Sequence, residues 1–244
     1  MKSLTLLLLG LLPLMLMAQD STLPHKLYLI PGQAGDARSF QFLDLDPAYE
    51  VEILEHILPE KGERMESYAQ RMAARIDTTR PFSLVGVSLG GMVSMEMSKH
   101  LNPTQVILIA SAKGKDEIPF RYKMLRALPL YKVFGGKFYV TATNIVRPLF
   151  EHDSKEVDDI SRAMLEDLPP KFLKRAIHCI VHWRNEEVPE YLVHIHGDRD
   201  NTLPYKHIEG AICLEEGTHM MILTRAKEIS EIINQTMAER LQEG

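Results

Sequence analysis

Three residues that can together perform nucleophilic catalysis occur along this chain: a serine, an aspartate and a histidine. Ser88 lies within "LVGVSLGGM", two aspartates, Asp198 and Asp200, lie within "HGDRDNTLP", and His219 lies within "EEGTHMMI". A serine hydroxyl becomes a strong nucleophile when a histidine accepts its proton and an acid orients that histidine. In this order the three side chains would supply the nucleophile, the orienting acid and the base.

Ser88 stands where a strand is predicted to end and a helix to begin. The apolar run 82–87 before it is typical of a buried strand, and apolar residues recur every three or four positions over 89–101. Gly86 and Gly90 lack side chains, so the strand and the helix can approach each other around a sharply turned serine. The alternative is a helix-capping serine in a glycine-rich turn, and the strand-to-helix context favours the nucleophile.

The acid and the base are predicted to follow later strands. Asp198 and Asp200 both lie in the loop after the fifth predicted strand, and the residues alone leave the choice between them open. His219 lies in a glycine-containing loop before the final predicted helix, 225–240, from which an imidazole can reach a site above the sheet. The alternative for His219 is a surface loop histidine with no partner in a site.

Short apolar runs alternate with amphipathic segments along the chain, which predicts an α/β fold. Most of the runs are apolar throughout, as expected for strands buried on both faces of a mostly parallel, doubly wound sheet. The interval of about 113–189 has helical periodicity without a convincing strand, and we interpret it as a helical lid inserted into one domain, 20–244. The six predicted strands are 26–30, 49–54, 82–87, 105–110, 191–196 and 211–216.

With these elements in place, the chain resembles the α/β-hydrolase superfamily, and looks most similar to its compact bacterial members. The resemblance rests on Gly86-Val87-Ser88-Leu89-Gly90, on the acid and histidine loops, and on the first-strand turn "LIPGQAGDARSF". It implies an α/β-hydrolase fold over nearly the whole mature chain. It also implies that Asp200, three residues beyond the strand-ending Gly197, is the acid, with Asp198 as the second choice.

The same resemblance implies an oxyanion hole and a reaction. Members of the family often have His-Gly at the first turn, where this chain has Pro31-Gly32, and the implied donors are the backbone N–H groups of Gln33 and Leu89. The implied activity is cleavage of a carboxylic ester through an acyl-enzyme, without metal or organic cofactor. Thioester, amide or carbon–carbon cleavage stays open, because one triad serves all of these reactions. A ligand-binding or signalling protein with little turnover is the alternative.

A second pattern, HxHxD, is formed by His194, His196 and Asp198. It is similar to the metallo-β-lactamase signature HxHxDH, but Arg199 occupies the position of the last ligand. A metal site needs three or four ligands, so a metallohydrolase is the less favoured alternative.

The segment 113–137 contains seven Lys or Arg residues and two acidic residues, interleaved with large apolar side chains. Such a basic amphipathic lid could make transient contact with a membrane surface. The favoured interpretation is that its apolar face packs over the active site while the charges stay in solvent. Either arrangement predicts a small-molecule substrate with a hydrophobic portion.

The N-terminal segment "MKSLTLLLLGLLPLMLMAQD" predicts export. It has one cation, an apolar run shorter than a membrane span and a small residue before polar ones, which is typical of a signal peptide over 1–19. An uncleaved anchor is the alternative, and the chain is predicted to be periplasmic or secreted.

Charge and cysteine content bound the remaining possibilities. The formal charge of −5, with acidic residues spread along the chain, argues against a nucleic-acid partner. Cys179 and Cys213 both lie in apolar surroundings, so two lone buried cysteines are favoured over a disulfide bridge.

Overall fold

A computed structural model describes residues 24–133, 135, 138, 140–142 and 153–242. The predicted signal peptide lies outside the described residues, as does part of the predicted lid. Within the described part of the chain, no helix is both long enough and apolar enough to cross a membrane.

The core of the fold is one sheet of six parallel strands in the order β2-β1-β3-β4-β5-β6. This confirms the predicted α/β fold, and the strand ends differ from the predicted ones by two residues at most. The strands are β1 (Lys26–Ile30), β2 (Glu50–Ile53), β3 (Phe82–Val87), β4 (Val106–Ile109), β5 (Leu192–Gly197) and β6 (Ile212–Leu214).

Helices cover both faces of the sheet, which explains why its central strands are largely apolar and buried. Side chains alternate along a strand, so Tyr28 and Ile30 of β1 belong to one core cluster and Leu27 and Leu29 to the other. Helices α1, α2 and α5 contribute to the first cluster, and α4, α6 and α7 to the second. The helices are α1 (Met65–Ala73), α2 (Leu89–Ser98), α3 (Phe120–Ala127), α4 (Lys155–Asp167), α5 (Phe172–His182), α6 (Met221–Thr224) and α7 (Ala226–Gln242).

Between β4 and β5 the described residues form helices α3, α4 and α5 and contain no strand. Helix α3 packs against α5. These helices therefore lie at the point of the chain where the sequence predicts an insertion.

The two cysteines differ in their surroundings, and neither is bridged. Cys179 on α5 is buried, and burial raises the pKa of its thiol to about 12. Cys213 is exposed, so the prediction of two buried cysteines is wrong for this residue. The physical reason is that β6 is an edge strand on which Leu214 points inward and its neighbour Cys213 therefore points to solvent.

Candidate active site

Ser88 adopts a backbone conformation that side chains rarely tolerate, with φ 49° and ψ −116°. Such strain persists only where neighbouring contacts fix it. The Ser88 N–H donates to the carbonyl of Ile109 at 3.0 Å, and the Ser88 carbonyl accepts from the Ser111 hydroxyl at 2.6 Å and from the Gly91 N–H at 3.0 Å. These bonds hold the serine at the tip of a tight turn between β3 and α2.

The glycines around Ser88 are required by close backbone contact. A Cβ on Gly86 would lie 2.5 Å from the carbonyl carbon of Gly90, and a Cβ on Gly90 would lie 2.5 Å from the carbonyl oxygen of Pro31. Contacts this short between a Cβ and backbone atoms force a shift of the main chain. The two glycines therefore allow α2 to start directly beside β1 and β3.

The structure brings Ser88, His219 and Asp200 into one hydrogen-bonded chain. His219 Nε2 lies 3.0 Å from Ser88 Oγ, and His219 Nδ1 lies 2.7 Å from Asp200 Oδ2. Both distances are normal for a nucleophile, its base and an orienting acid. The loop of His219 is held by a 2.8 Å hydrogen bond that Thr218 donates to Asp153, which directly precedes the N-cap residue of α4.

Of the two candidate acids, only Asp200 contacts His219. Asp200 is 2% exposed, whereas Asp198 is exposed to solvent. Oδ1 of Asp200 accepts hydrogen bonds from the backbone N–H groups of Thr202 at 2.8 Å and Leu203 at 2.7 Å. Burial alone would raise the pKa of Asp200, but His219 and His196 outweigh it and hold this pKa well below its usual range.

His196 is a partner of the acid that the sequence interpretation missed. Its Nε2 lies 3.2 Å from Asp200 Oδ2 and 2.8 Å from the Leu203 carbonyl, two acceptors, so this nitrogen carries a hydrogen. Its Nδ1 lies 3.3 Å from Nε2 of His194, and burial lowers the pKa of His194 to about 3. The i, i+4 spacing of His196 and Asp200 across the turn after β5 is the signal that could have revealed this contact.

The two histidines of the HxHxD pattern take part in the contacts around Asp200: His196 contacts Asp200, and His194 contacts His196. Asp198, the third member of the pattern, is exposed, while both histidines are buried. In the described part of the chain, no group of three or more His, Cys, Asp or Glu side chains is arranged to hold a metal ion.

The residues that carry the two predicted oxyanion donors, Gln33 and Leu89, belong to segments next to Ser88. Leu89 is the first residue of α2, where backbone N–H groups of a helix point outward. A Cβ on Gly32 would lie 3.4 Å from the Cβ of Ser88, so the turn that carries Gln33 lies against the serine. The Gln33 side chain donates to the carbonyl of Leu173 at 3.2 Å, which ties this turn to α5.

His56 forms a hydrogen bond to the same turn. Its Nε2 lies 2.8 Å from the Pro31 carbonyl, and its Nδ1 lies 2.8 Å from the hydroxyl of Tyr68. Burial lowers the pKa of His56 to about 4, so the ring is neutral at neutral pH. The sequence interpretation did not find His56, because its partners are distant along the chain.

A cavity of about 730 Å³ lies beside Ser88 and His219. Most of its lining is apolar and comes from both the sheet edge and helices α3, α4 and α5, which fits a site for a substrate with a hydrophobic portion. The apolar side chains that line it include Met92, Leu125, Met164, Leu165, Leu173 and Ile180.

The apolar residues of the basic segment after β4 divide into two sets. Tyr122 and Leu125 line the cavity, as expected for a face that packs over the site. Phe120, Met124 and Leu128 point to solvent, so the interpretation of a single inward apolar face is wrong for these three. The reason is that α3 has apolar residues on two sides and only one of them meets the protein.

Residues 27–232 match the family model described as the alpha/beta hydrolase family. The match covers more than half of the chain, which therefore belongs to this family. The predicted membership and fold are confirmed.

Several known proteins are similar to this chain. AMB antimetabolite synthetase AmbE of Pseudomonas aeruginosa is 22% identical over an alignment of 246 positions. This alignment covers 90% of this chain and 11% of AmbE. The chain thus spans about a ninth of the length of that relative.

Solved structures with the same fold include esterases. An esterase from Thermogutta terrifontis superposes with a TM-score of 0.68 at 15% identity, covering 88% of this chain and 90% of its own. ClbQ from the colibactin NRPS/PKS pathway superposes with a TM-score of 0.61 at 15% identity, covering 90% of this chain and 99% of its own. At these identities the likeness shows the fold alone.

Proposed function

We propose that this protein is a serine hydrolase that cleaves a carboxylic ester of a substrate with a hydrophobic portion. The observation that carries the proposal is the hydrogen-bonded chain Ser88–His219–Asp200 at the wall of an apolar cavity. Nucleophile, base and acid are within hydrogen-bond reach of one another. The similarity in fold to an esterase agrees with this reaction class.

In the proposed mechanism Ser88 attacks the ester carbonyl while His219 Nε2 accepts the hydroxyl proton. Asp200 fixes the ring with hydrogen on Nδ1 and stabilises the imidazolium that forms. The backbone N–H groups of Gln33 and Leu89 bind the oxyanion. His219 then returns its proton to the leaving alcohol, and water, activated by the same ring, releases the acid from Ser88.

The cavity supports an acyl or alkyl chain as the hydrophobic portion. Its polar side chains are largely engaged inside the protein: Ser161 donates to the Val157 carbonyl at 2.7 Å, and Ser39 contacts the sulfur of Met164 at 3.4 Å. Apolar groups therefore provide most of the contact surface for a bound ligand. Each methylene group transferred from water into such a cavity contributes about 0.8 kcal/mol.

Hydrolysis of a p-nitrophenyl ester series tests the proposal. Acetate, butyrate, octanoate and laurate esters are compared for the native protein, and we expect kcat/KM to rise from acetate to the longer chains. Ser88→Ala is expected to lower kcat by at least about a thousandfold. Ser98→Ala is the matched control on the same helix, since its hydroxyl bonds the Met95 carbonyl.

The ester proposal fails if no ester is turned over, or if Ser88→Ala retains native activity. A parallel series of acyl thioesters tests thioester cleavage, the alternative to ester cleavage by the same triad. The similarity to AmbE and to ClbQ, a protein of an NRPS/PKS pathway, is the reason to include that series. Thioester turnover that depends on Ser88 and exceeds ester turnover would move the substrate assignment from esters to thioesters.

The proposed setting is outside the cytoplasm, in the periplasm or the medium, through the predicted signal peptide over 1–19. Mass spectrometry of the protein recovered from a periplasmic or culture fraction checks this prediction. A mature N-terminus close to residue 20 is expected, and an intact N-terminus would indicate an uncleaved anchor.

A further inference from the structure

Helix α3 presents an apolar stripe to solvent. Phe120, Met124 and Leu128, spaced four residues apart, are 72%, 55% and 60% exposed, and residues at this spacing lie along one side of a helix. Leu130 and Val133, which follow α3 in the chain, are also exposed, at 49% and 72%. Single exposed apolar side chains are ordinary, but a continuous patch of them marks a surface that binds something.

The same region carries positive charge and no negative charge in its sequence. From Ile118 to Val133 the chain has no acidic residue, and neither does helix α5, against which α3 packs. The cations of these two segments are Arg121, Lys123, Arg126, Lys132, Lys174 and Arg175.

The helix geometry separates the apolar stripe from the cavity. At about 100° per residue, Tyr122 lies on the opposite side of α3 from the stripe, while Lys123 and Arg121 lie on its two flanks. Tyr122 and Leu125 line the cavity. Arg121 donates a 2.9 Å hydrogen bond to the Asn201 carbonyl, which fixes this part of α3 to the loop that carries Asp200.

We propose that the surface formed by Phe120, Lys123, Met124 and Leu128, here called the α3 face, docks on an anionic phospholipid bilayer. The apolar stripe enters the boundary between headgroups and acyl chains, and Lys123 on its flank meets lipid phosphates. This combination of an exposed apolar stripe with Lys and Arg beside it is typical of helices that lie in the membrane plane. Each cation close to an anionic surface strengthens binding roughly fivefold.

Charge favours a bilayer over a second copy of the chain. A symmetric dimer through the α3 face would bring Lys123 of both copies into one interface with no acidic residue from 118–133 to pair with it, because such interfaces are self-complementary. An anionic bilayer instead presents the opposite charge over an unlimited area. Docked in this way, α3 lies between lipid and the cavity that it lines.

The test is co-sedimentation of the full-length protein with lipid vesicles of two compositions. One set is phosphatidylcholine alone, and the other is phosphatidylcholine with phosphatidylglycerol. We expect binding to the phosphatidylglycerol vesicles to be at least about tenfold stronger, and to weaken at high salt because surface charges are then screened. Absence of binding, or equal binding to both compositions, would overturn the proposal.

Two variants assign the binding to the α3 face. Phe120→Ser with Met124→Ser removes the stripe, and Lys123→Glu reverses the charge on its flank. Each is expected to lower binding at least about tenfold. All three side chains are exposed, so the fold is retained, and circular dichroism verifies this.

Matched controls lie elsewhere on the surface. Phe42→Ser removes an exposed phenylalanine outside the α3 face, and Lys227→Glu reverses an exposed cation on α7. Both are expected to bind as the native protein does, and every variant carries the same N-terminal segment, so the differences report the α3 face. If the controls lose binding equally, the proposal is overturned.

Two further outcomes distinguish membrane docking from the proposed catalysis and from dimerisation. Ser88→Ala is expected to bind vesicles as the native protein does, because docking does not depend on the proposed chemistry; loss of binding in this variant would contradict the assignment. A native dimer in size-exclusion chromatography that the Phe120→Ser and Met124→Ser double variant converts to a monomer would show that a second copy covers the α3 face.

Discussion

Replacement of Asp200 by asparagine removes one buried negative charge without changing the shape of the side chain. In the described part of the chain, four groups bond to this carboxylate, and each of them is a donor. Oδ1 accepts from the N–H groups of Thr202 and Leu203, and Oδ2 lies 2.7 Å from His219 Nδ1 and 3.2 Å from His196 Nε2. An asparagine offers one oxygen and one NH₂ group, so in either orientation its NH₂ faces groups that also donate.

The orientation that keeps the two backbone hydrogen bonds places the NH₂ group against His219. The ring must then accept at Nδ1 and carry its hydrogen on Nε2, so it no longer accepts a proton from Ser88. The loss expected from this wrong tautomer is about 10⁴-fold in kcat at neutral pH, equivalent to about 5 kcal/mol of transition-state stabilisation. Steady-state hydrolysis of p-nitrophenyl butyrate measures it, and KM is expected to change little.

Asp198→Asn is the matched control, because Asp198 is exposed and is the other acid in the same loop. Its kcat is expected to stay within about twofold of the native value, as for a surface substitution. The reasoning is refuted if folded Asp200→Asn keeps more than about a tenth of native kcat. It is also refuted if Asp198→Asn shows the large loss instead.

Three further predictions concern stability, each measured by urea unfolding. Gly90→Ala is expected to lower the free energy of unfolding by about 1–3 kcal/mol, because its Cβ would lie 2.5 Å from a backbone oxygen. Gly135→Ala is the control, since its Cβ would meet nothing within 4 Å, and its unfolding free energy is expected to stay near the native value. Equal effects of the two substitutions would contradict the close contact at Gly90. Trp183→Phe removes a 2.6 Å hydrogen bond from the indole N–H to the buried carboxylate of Glu96, at an expected cost of about 1.5–3 kcal/mol, and an unchanged midpoint would refute this. His56 has a folded pKa of about 4, below its ordinary 6.5, so the stability it contributes is present above pH 6.5 and is lost as the pH falls toward 4. The difference in unfolding free energy between native and His56→Phe should therefore shrink over that interval, and a constant difference would contradict the neutral ring.

The sheet could be predicted from sequence because its signal is local and repeated. The runs 84–87 and 106–110 are apolar throughout, and burial on both faces is the physical cause of that pattern. Ser88 could be placed for a similar reason, since the turn needs Gly86 and Gly90 at fixed spacing around it. The choice of Asp200 needed the family resemblance, because two carboxylates in one loop look alike in sequence.

Contacts between distant parts of the chain could not be read from sequence. His56 lies 25 residues from Pro31, which it supports, and no local pattern links the two. The sequence also did not reveal that α3 has apolar residues on two sides. Apolar residues at helical spacing form the same sequence pattern whether they contact protein or solvent. Cys213 was misjudged for a related reason: an edge strand exposes positions that a central strand would bury.

Labelling with a fluorophosphonate tests most directly that Ser88 is an activated nucleophile. Intact-mass spectrometry of the native protein is expected to show one covalent adduct, peptide mapping should place it on Ser88, and Ser88→Ala should remain unlabelled at the same reagent concentration. A folded native protein that gains no adduct, or gains it equally in Ser88→Ala, would contradict the account.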